Sequence, residues 1–471
     1  MTGDERVESD AFGPVEIPAG RYWGAQTQRA LGVFEIGQER FPAALVRCFG
    51  LQKLAAARAN RKLGQLEPDV AEVIEIAARE LWEGRFDDEF PLPVWQTGSG
   101  TQTNMNANEV IANRANELLG HPLGTRAPVH PNDHVNRSQS SNDSFPTVMH
   151  LTAVSELRNR LTPALAGLRT TLEAKAEQFA DVVKIGRTHL MDAVPMTVGH
   201  SFTAFARQIG NAIERIEATM PRLRALPQGG TAVGTGLNAP NGFDAAFCAE
   251  ATALTGVAFH AAESKFEGMG AHDALVEGHA AVKVAAVSLL KIANDVRLLG
   301  SGPRCGLGEL VIPSDGLTSS IMPGKVNPTI AEVLAQAALQ VIGNDTTVSM
   351  AGGAGTFELN VAKPVLIHNV LQSIRILADS VTVFDARLVR DLEVDRDRLA
   401  VNVDGALLLA TALNPVLGYD QVARITARAR RDGITPREAT VELGLLTAQE
   451  YDRHVDPAAM ARPHRHPTPG A

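Results

Sequence analysis

Three stretches of this sequence keep an apolar repeat of helical period for far longer than an ordinary globular helix: Phe145 to Val183, Pro195 to Leu226 and Gly270 to Leu299. In the third, Val282, Ala285, Ala286, Leu289, Ala293 and Val296 fall on one stripe. Two more such stretches, Pro328 to about Asn344 and Pro364 to about Leu388, open with proline, which the first turn of a helix tolerates. At about 1.5 Å per residue, a thirty-residue helix is about 45 Å long, more than one compact domain needs. Helices of that length are expected to pair in a bundle and across subunits. The composition agrees, because 45% of residues are hydrophobic but only 5% aromatic, a mixture suited to close helix–helix contact. The expected fold class is therefore mainly α.

A length of 471 residues implies two or three domains. The pattern predicts a mixed, mainly helical N-terminal domain over 1–138, a central helical bundle over 139–396, and a small C-terminal helical domain with a flexible tail over 397–471. His464 and His466 in that tail read as solvated side chains rather than metal ligands. A net charge of −9 argues against nucleic acid as a partner, so an anionic ligand would have to be held by a few local donors. Cys48, Cys248 and Cys305 are odd in number and far apart, which suggests neither disulfides nor a zinc cluster and fits a reducing cytoplasm. The polar N-terminus and the charges of Lys283 and Lys291 inside the most apolar run predict no signal peptide and no membrane span.

Four polar stretches interrupt the helical pattern: TGSGTQTNMNANE from Thr97, HPNDHVNRSQSSND from His130, GRTHLMDAVP from Gly186, and SSIMPGKVNP from Ser319. Helix caps need one or two hydroxyl or amide side chains, and these runs carry many more. If they converge they make a pocket rich in donors, suited to a compact anion with several oxygens. His189 lies in a polar segment rather than on an apolar stripe, which makes it a candidate acid–base group. Lys325 stands just ahead of a predicted helix, where the helix dipole disfavours a cation, and a carboxylate ligand would give it a purpose. His130 and His134 are four apart, but the intervening Pro131 and the missing H-E-x-x-H pattern argue against zinc. GTAVGTGLNAP, with Gly234 and Gly236, lacks the third glycine and the lysine of nucleotide-binding loops and reads as a connection between helices.

SSIMPGKVNP resembles the signature of the fumarase/aspartase superfamily. WQTGSGTQTNMNANEV, VHPNDHVNRSQSSND, KIGRTHLMDAVP, GGTAVGTGLNAP, GSGPRCGLGE and GTFELNV narrow the resemblance to the class II fumarases, over about Asp10 to about Met460. The resemblance implies a three-domain fold whose central long-helix bundle is shared in a homotetramer, with each site built by loops from three subunits. It implies reversible hydration of fumarate to L-malate in the tricarboxylic acid cycle, through an aci-carboxylate intermediate and without metal or organic cofactor. Ser319 matches the family's catalytic base on a mobile loop, His189 the histidine that acts with a water, and Glu332 its carboxylate partner. Ser99, Gly100, Thr101, Ser140, Ser141, Asn142, Thr188, Ser320, Lys325, Val326 and Asn327 match the substrate-binding positions. His130, Pro131, Asn132 and Asp133 match a second anion site near the entrance.

Aspartate ammonia-lyase shares this fold and signature and is the alternative activity. Gln102 with Thr103, the paired serines of SQSSND and the His189–Glu332 pair point to fumarase. A non-catalytic relative of the lens-crystallin kind would be expected to lose Ser319, His189 or Lys325, and all three are present. Three departures stand out: Thr318 replaces a usual glycine, Ala127 a usual basic residue of the entrance segment, and His200-Ser201 a usual Gln-Glu.

Overall fold

A computed structural model describes residues 5–462. The chain is mainly α-helical, and the ten strands among the described residues pair only in twos. All five long helices are present. The first runs as Ser141–Glu156, a π-turn at Leu157–Leu161 and Thr162–Gln178. The others are Val198–Leu223, Asp273–Leu299, Thr329–Gly352 and Lys363–Phe384, the last prolonged by a π-turn over Asp385–Val389.

The first helix starts at Ser141 rather than Phe145 and the fourth runs past Asn344 to Gly352, and two further boundaries differ from expectation for one reason. Residues Val183–Thr188 and Met191–Thr197 form an antiparallel hairpin, so Val183 and Pro195 lie in strands rather than in helices. The next helix starts at Val198 because Thr197 and His200 cap it reciprocally. The Thr197 N–H donates to His200 Nδ1 at 3.2 Å and the His200 N–H to Thr197 Oγ1 at 3.1 Å. This gives the unusual His200 a structural role.

The chain forms two compact units, each drawn from three segments. The first comprises the residues up to Pro163, 212–287 and 337–378. Its N-terminal part is built on the Ala43–Lys62 helix, whose Leu45, Phe49 and Leu54 are fully buried. Gly50 allows the Pro68–Trp82 helix to cross in close contact, since a Cβ there would lie 2.3 Å from the Trp82 nitrogen. Farther along, a buried polar seam fixes the register of three long helices. His279 bonds Asp345 Oδ1 at 3.0 Å and Ser373 Oγ at 2.9 Å, and Asn344 donates to the same serine at 3.0 Å.

The second unit comprises 164–211, 288–336 and the residues from Asp379 on. Its core gathers Ile185 of the hairpin with Leu409, Leu413, Ile425 and Tyr451 from the short helices that follow Arg396. Thr435 with Glu438 and Thr447 with Glu450 form capping boxes that define two of those helices. His464 and His466 lie outside the described residues. No single described helix is long and apolar enough to cross a membrane.

Candidate active site

In the first unit, two helix N-termini are joined through their hydroxyls. Ser99 Oγ lies 2.7 Å from Thr101 Oγ1, which lies 2.8 Å from Ser141 Oγ, and Thr101 and Ser141 open the Thr101–Leu118 and Ser141–Glu156 helices. Gly100 makes the turn between them possible: its φ is +74°, and a Cβ would lie 2.1 Å from the Phe145 ring. Two helix dipoles and a row of hydroxyls thus favour negative charge at one place. Ser140 caps its helix by accepting from the Asn142 N–H at 3.1 Å, and the Asn142 side chain donates to the Ala232 carbonyl at 2.9 Å. The glycine-bearing GTAVGTGLNAP stretch is therefore part of the frame of this cluster as well as a connection between helices.

A cavity of about 310 Å³ is bordered by Thr101 of this cluster and by Arg126, Pro131 and Asn132. His130 caps the π-turn Pro131–Val135, with Nδ1 accepting from the N–H groups of Asn132 at 3.2 Å and Asp133 at 3.1 Å. Its Nε2 lies 2.8 Å from an Arg126 guanidinium nitrogen. A neutral imidazole has one acceptor nitrogen, so it cannot accept from all three donors at once. Burial, then the Arg126 charge, holds His130 below the usual histidine pKa. Arg126, with φ of 53°, thus sets a basic group beside His130, one position from Ala127. His134 Nδ1 accepts from the His130 N–H at 2.9 Å.

In the second unit, Thr188 and Met191 close the hairpin and leave His189 and Leu190 as its two-residue turn, both exposed. Their φ values are 56° and 63°, the left-handed geometry that a tight hairpin turn needs and that Asn-Gly would meet more cheaply. The stem is held by Glu309, which is only 1% exposed. Its carboxylate meets Arg187 at 2.5 Å, Lys184 at 3.3 Å and Asn402 at 3.2 Å. Burial would raise the Glu309 pKa, but the Arg187 bond and the Lys184 charge outweigh it and hold the group below the usual carboxylate range. Its stabilising contribution is present above the unfolded value of about 4.3 and is lost as acid takes the pH down through the lowered folded value. Glu309→Gln leaves the buried Lys184 without its charge partner, and a loss of about 3 kcal/mol or more is expected from thermal unfolding at neutral pH.

The SSIMPGKVNP stretch is an irregular, largely exposed loop that ends at the Thr329–Gly352 helix. Ser319 Oγ accepts from the backbone N–H groups of Ile321 at 3.4 Å and Met322 at 3.3 Å. Lys325 Nζ donates to Asn327 Oδ1 at 2.6 Å, so these two side chains are paired with each other. Ser320 and Val326 are exposed beside them, and Glu332 lies in the first turn of the helix, its N–H bonded to the Pro328 carbonyl at 3.1 Å. At the loop's ends, the Thr329 hydroxyl donates to the Asp315 carboxylate.

Comparison with known proteins gives the family. The family profile described as lyase matches residues 13–343, and that described as fumarase C C-terminus matches 409–462. The class II fumarate hydratase of Caulobacter vibrioides is 53% identical over 97% of this chain and 99% of its own. The mitochondrial fumarate hydratase of Rhizopus oryzae is 53% identical over 97% of this chain and 92% of its own. A crystal structure of class II fumarase from Schistosoma mansoni superposes with a TM-score of 0.95 at 42% identity, covering 98% of this chain and all of that one. Matched over nearly its whole length by class II fumarate hydratases at more than half identity, the chain belongs to the class II fumarate hydratase family.

Proposed function

We propose that this chain reversibly hydrates fumarate to L-malate, within the tricarboxylic acid cycle. In the direction of water loss, Ser319 as the alkoxide takes the proton from the carbon next to a malate carboxylate. The electron pair moves into that carboxylate as an aci-carboxylate dianion, and the C–O bond to the hydroxyl breaks as His189, acting with a water and Glu332, supplies the proton that lets it leave as water. The observation that carries this assignment is the pair of backbone N–H groups on Ser319 Oγ, which favour its oxyanion. They come from Ile321 and Met322, whereas Lys325 is held by Asn327.

Lys325, Asn327, Thr188, Ser320 and Val326 bind substrate in this reading, together with Ser99, Gly100, Thr101, Ser140, Ser141 and Asn142. The meeting of two helix N-termini supports a carboxylate there. Residues 130–133 with Arg126 form the second anion site, supported by three donors crowding one imidazole. The working form is a homotetramer whose sites take loops from more than one subunit, as expected from helices of up to 27 residues in one run. The division at 138/139 and 396/397 into three domains and a cytoplasmic location belong to the same proposal.

Ultraviolet absorbance of fumarate provides the test. Purified protein is expected to produce fumarate from L-malate and not from L-aspartate. Formation from aspartate alone would replace this reading with aspartate ammonia-lyase.

A further inference from the structure

Two buried ionisable side chains of the first unit have no part in the chemistry above. Lys53, on the Ala43–Lys62 helix, and Asp143, in the first turn of the Ser141–Glu156 helix, are both fully buried. Lys53 Nζ donates to Asn104 Oδ1 at 2.8 Å, Asn136 Oδ1 at 3.1 Å and Gln139 Oε1 at 3.0 Å. Three oxygen acceptors need three hydrogens, and only the ammonium form has them. Asn104 is one turn into the helix that Thr101 opens, Gln139 immediately precedes Ser140, and Asn136 lies three residues before Gln139.

Asp143 works from the other side. One carboxylate oxygen accepts from the Ser140 N–H at 2.9 Å, and the other accepts from the N–H groups of Gly229 and Thr231, each at 2.9 Å. These bonds tie the serine pair to the stretch whose Ala232 carbonyl holds Asn142. A continuous path joins the two charges: Gln139 Oε1 also accepts from Gln52 at 2.9 Å, Gln52 reaches Ser144 Oγ at 3.3 Å, and that hydroxyl reaches Asp143 at 3.4 Å. Burial works against both, pulling Lys53 down to about 7 and pushing Asp143 up to about 6, while each charge favours the other.

We propose that Lys53 and Asp143 are positioning residues: a buried, mutually neutralising pair that sets the Ser99–Thr101 and Ser140–Asn142 donors for the substrate carboxylate. The proposal rests on reading those donors as the carboxylate site. Asp143 anchors the loops but places a negative charge beneath a dianion's site, and Lys53 cancels that charge while tying down the neighbouring stretches. Loss of Lys53 alone leaves a buried carboxylate without compensation, whereas loss of both charges returns the base to neutrality.

Steady-state kinetics of the full-length protein test this. Native turnover of fumarate comes first, since its failure removes the functional reading itself rather than the pair. Given native turnover, Lys53→Met is expected to raise KM for fumarate by about tenfold or more with kcat changed by less than about threefold. Asp143→Asn should lower kcat/KM by about tenfold, and the double variant should lose at least about tenfold less than the product of the two single losses. Losses that simply multiply, or a fall in kcat with KM unchanged, would overturn the proposal. Should Lys53→Met not fold, Gln139→Met removes one acceptor of the ammonium and is expected to show the same KM-weighted loss. An unchanged KM in that variant would equally overturn it.

Discussion

Ser319→Ala is expected to lower fumarate turnover by at least about a thousandfold, within the range a positioned general base contributes, while the assembly and helix content stay native. A serine hydroxyl is a poor base in water, so its usefulness depends on what surrounds the oxygen once the proton has left. Two backbone N–H groups already point at it. Being part of the peptide chain they cannot titrate, and they need little reorganisation when charge develops. The side chain is on an irregular loop with no helix to maintain, so alanine removes the oxygen without disturbing the core. Kinetics at saturating substrate and light scattering on the same sample are the measurements. Full activity in that variant would remove Ser319 from the role of base.

The second large effect is expected at Lys325. Lys325→Met should reduce kcat and kcat/KM together, by about a hundredfold or more, as for loss of a donor aimed at developing charge. In the free chain its ammonium is engaged by Asn327 Oδ1 at 2.6 Å. An aci-carboxylate dianion carries more charge than the ground-state carboxylate and competes for that ammonium more strongly. The lysine therefore contributes most in the transition state. A loss confined to KM would show instead that Lys325 binds ground state and transition state equally, contrary to the role assigned here.

How much of this was legible in the sequence depended on how far each signal extended. The five long helices announced themselves because an apolar repeat over many turns is hard to mimic, and the reading erred only at their ends. The serine loop announced itself by composition. The hairpin did not, because each of its strands has only six or seven residues and its turn is His-Leu rather than the Asn-Gly or Asp-Gly that marks such turns. Lys53 was equally silent. A lysine inside LQKLAAARAN reads as one whose stem lies along an apolar face with its charge in water, and the three acceptors that hold it are 51, 83 and 86 residues away along the chain. Arg126 is equally hard to single out from the sequence, since its contact with His130 arises in a left-handed backbone conformation that the sequence does not signal.

The His-Leu turn at 189–190 also bears on how this enzyme would respond to selection. Each of the two residues sits in a backbone region that costs an ordinary side chain about 1 kcal/mol or more, and glycine or asparagine would relieve it. With His189 in its proposed role, heat resistance and turnover pull in opposite directions at this one tip. A screen that rewarded survival alone would replace the histidine early and enrich robust, folded and inactive descendants, whereas a screen that rewarded turnover would keep the strained pair and gather its stabilising changes elsewhere.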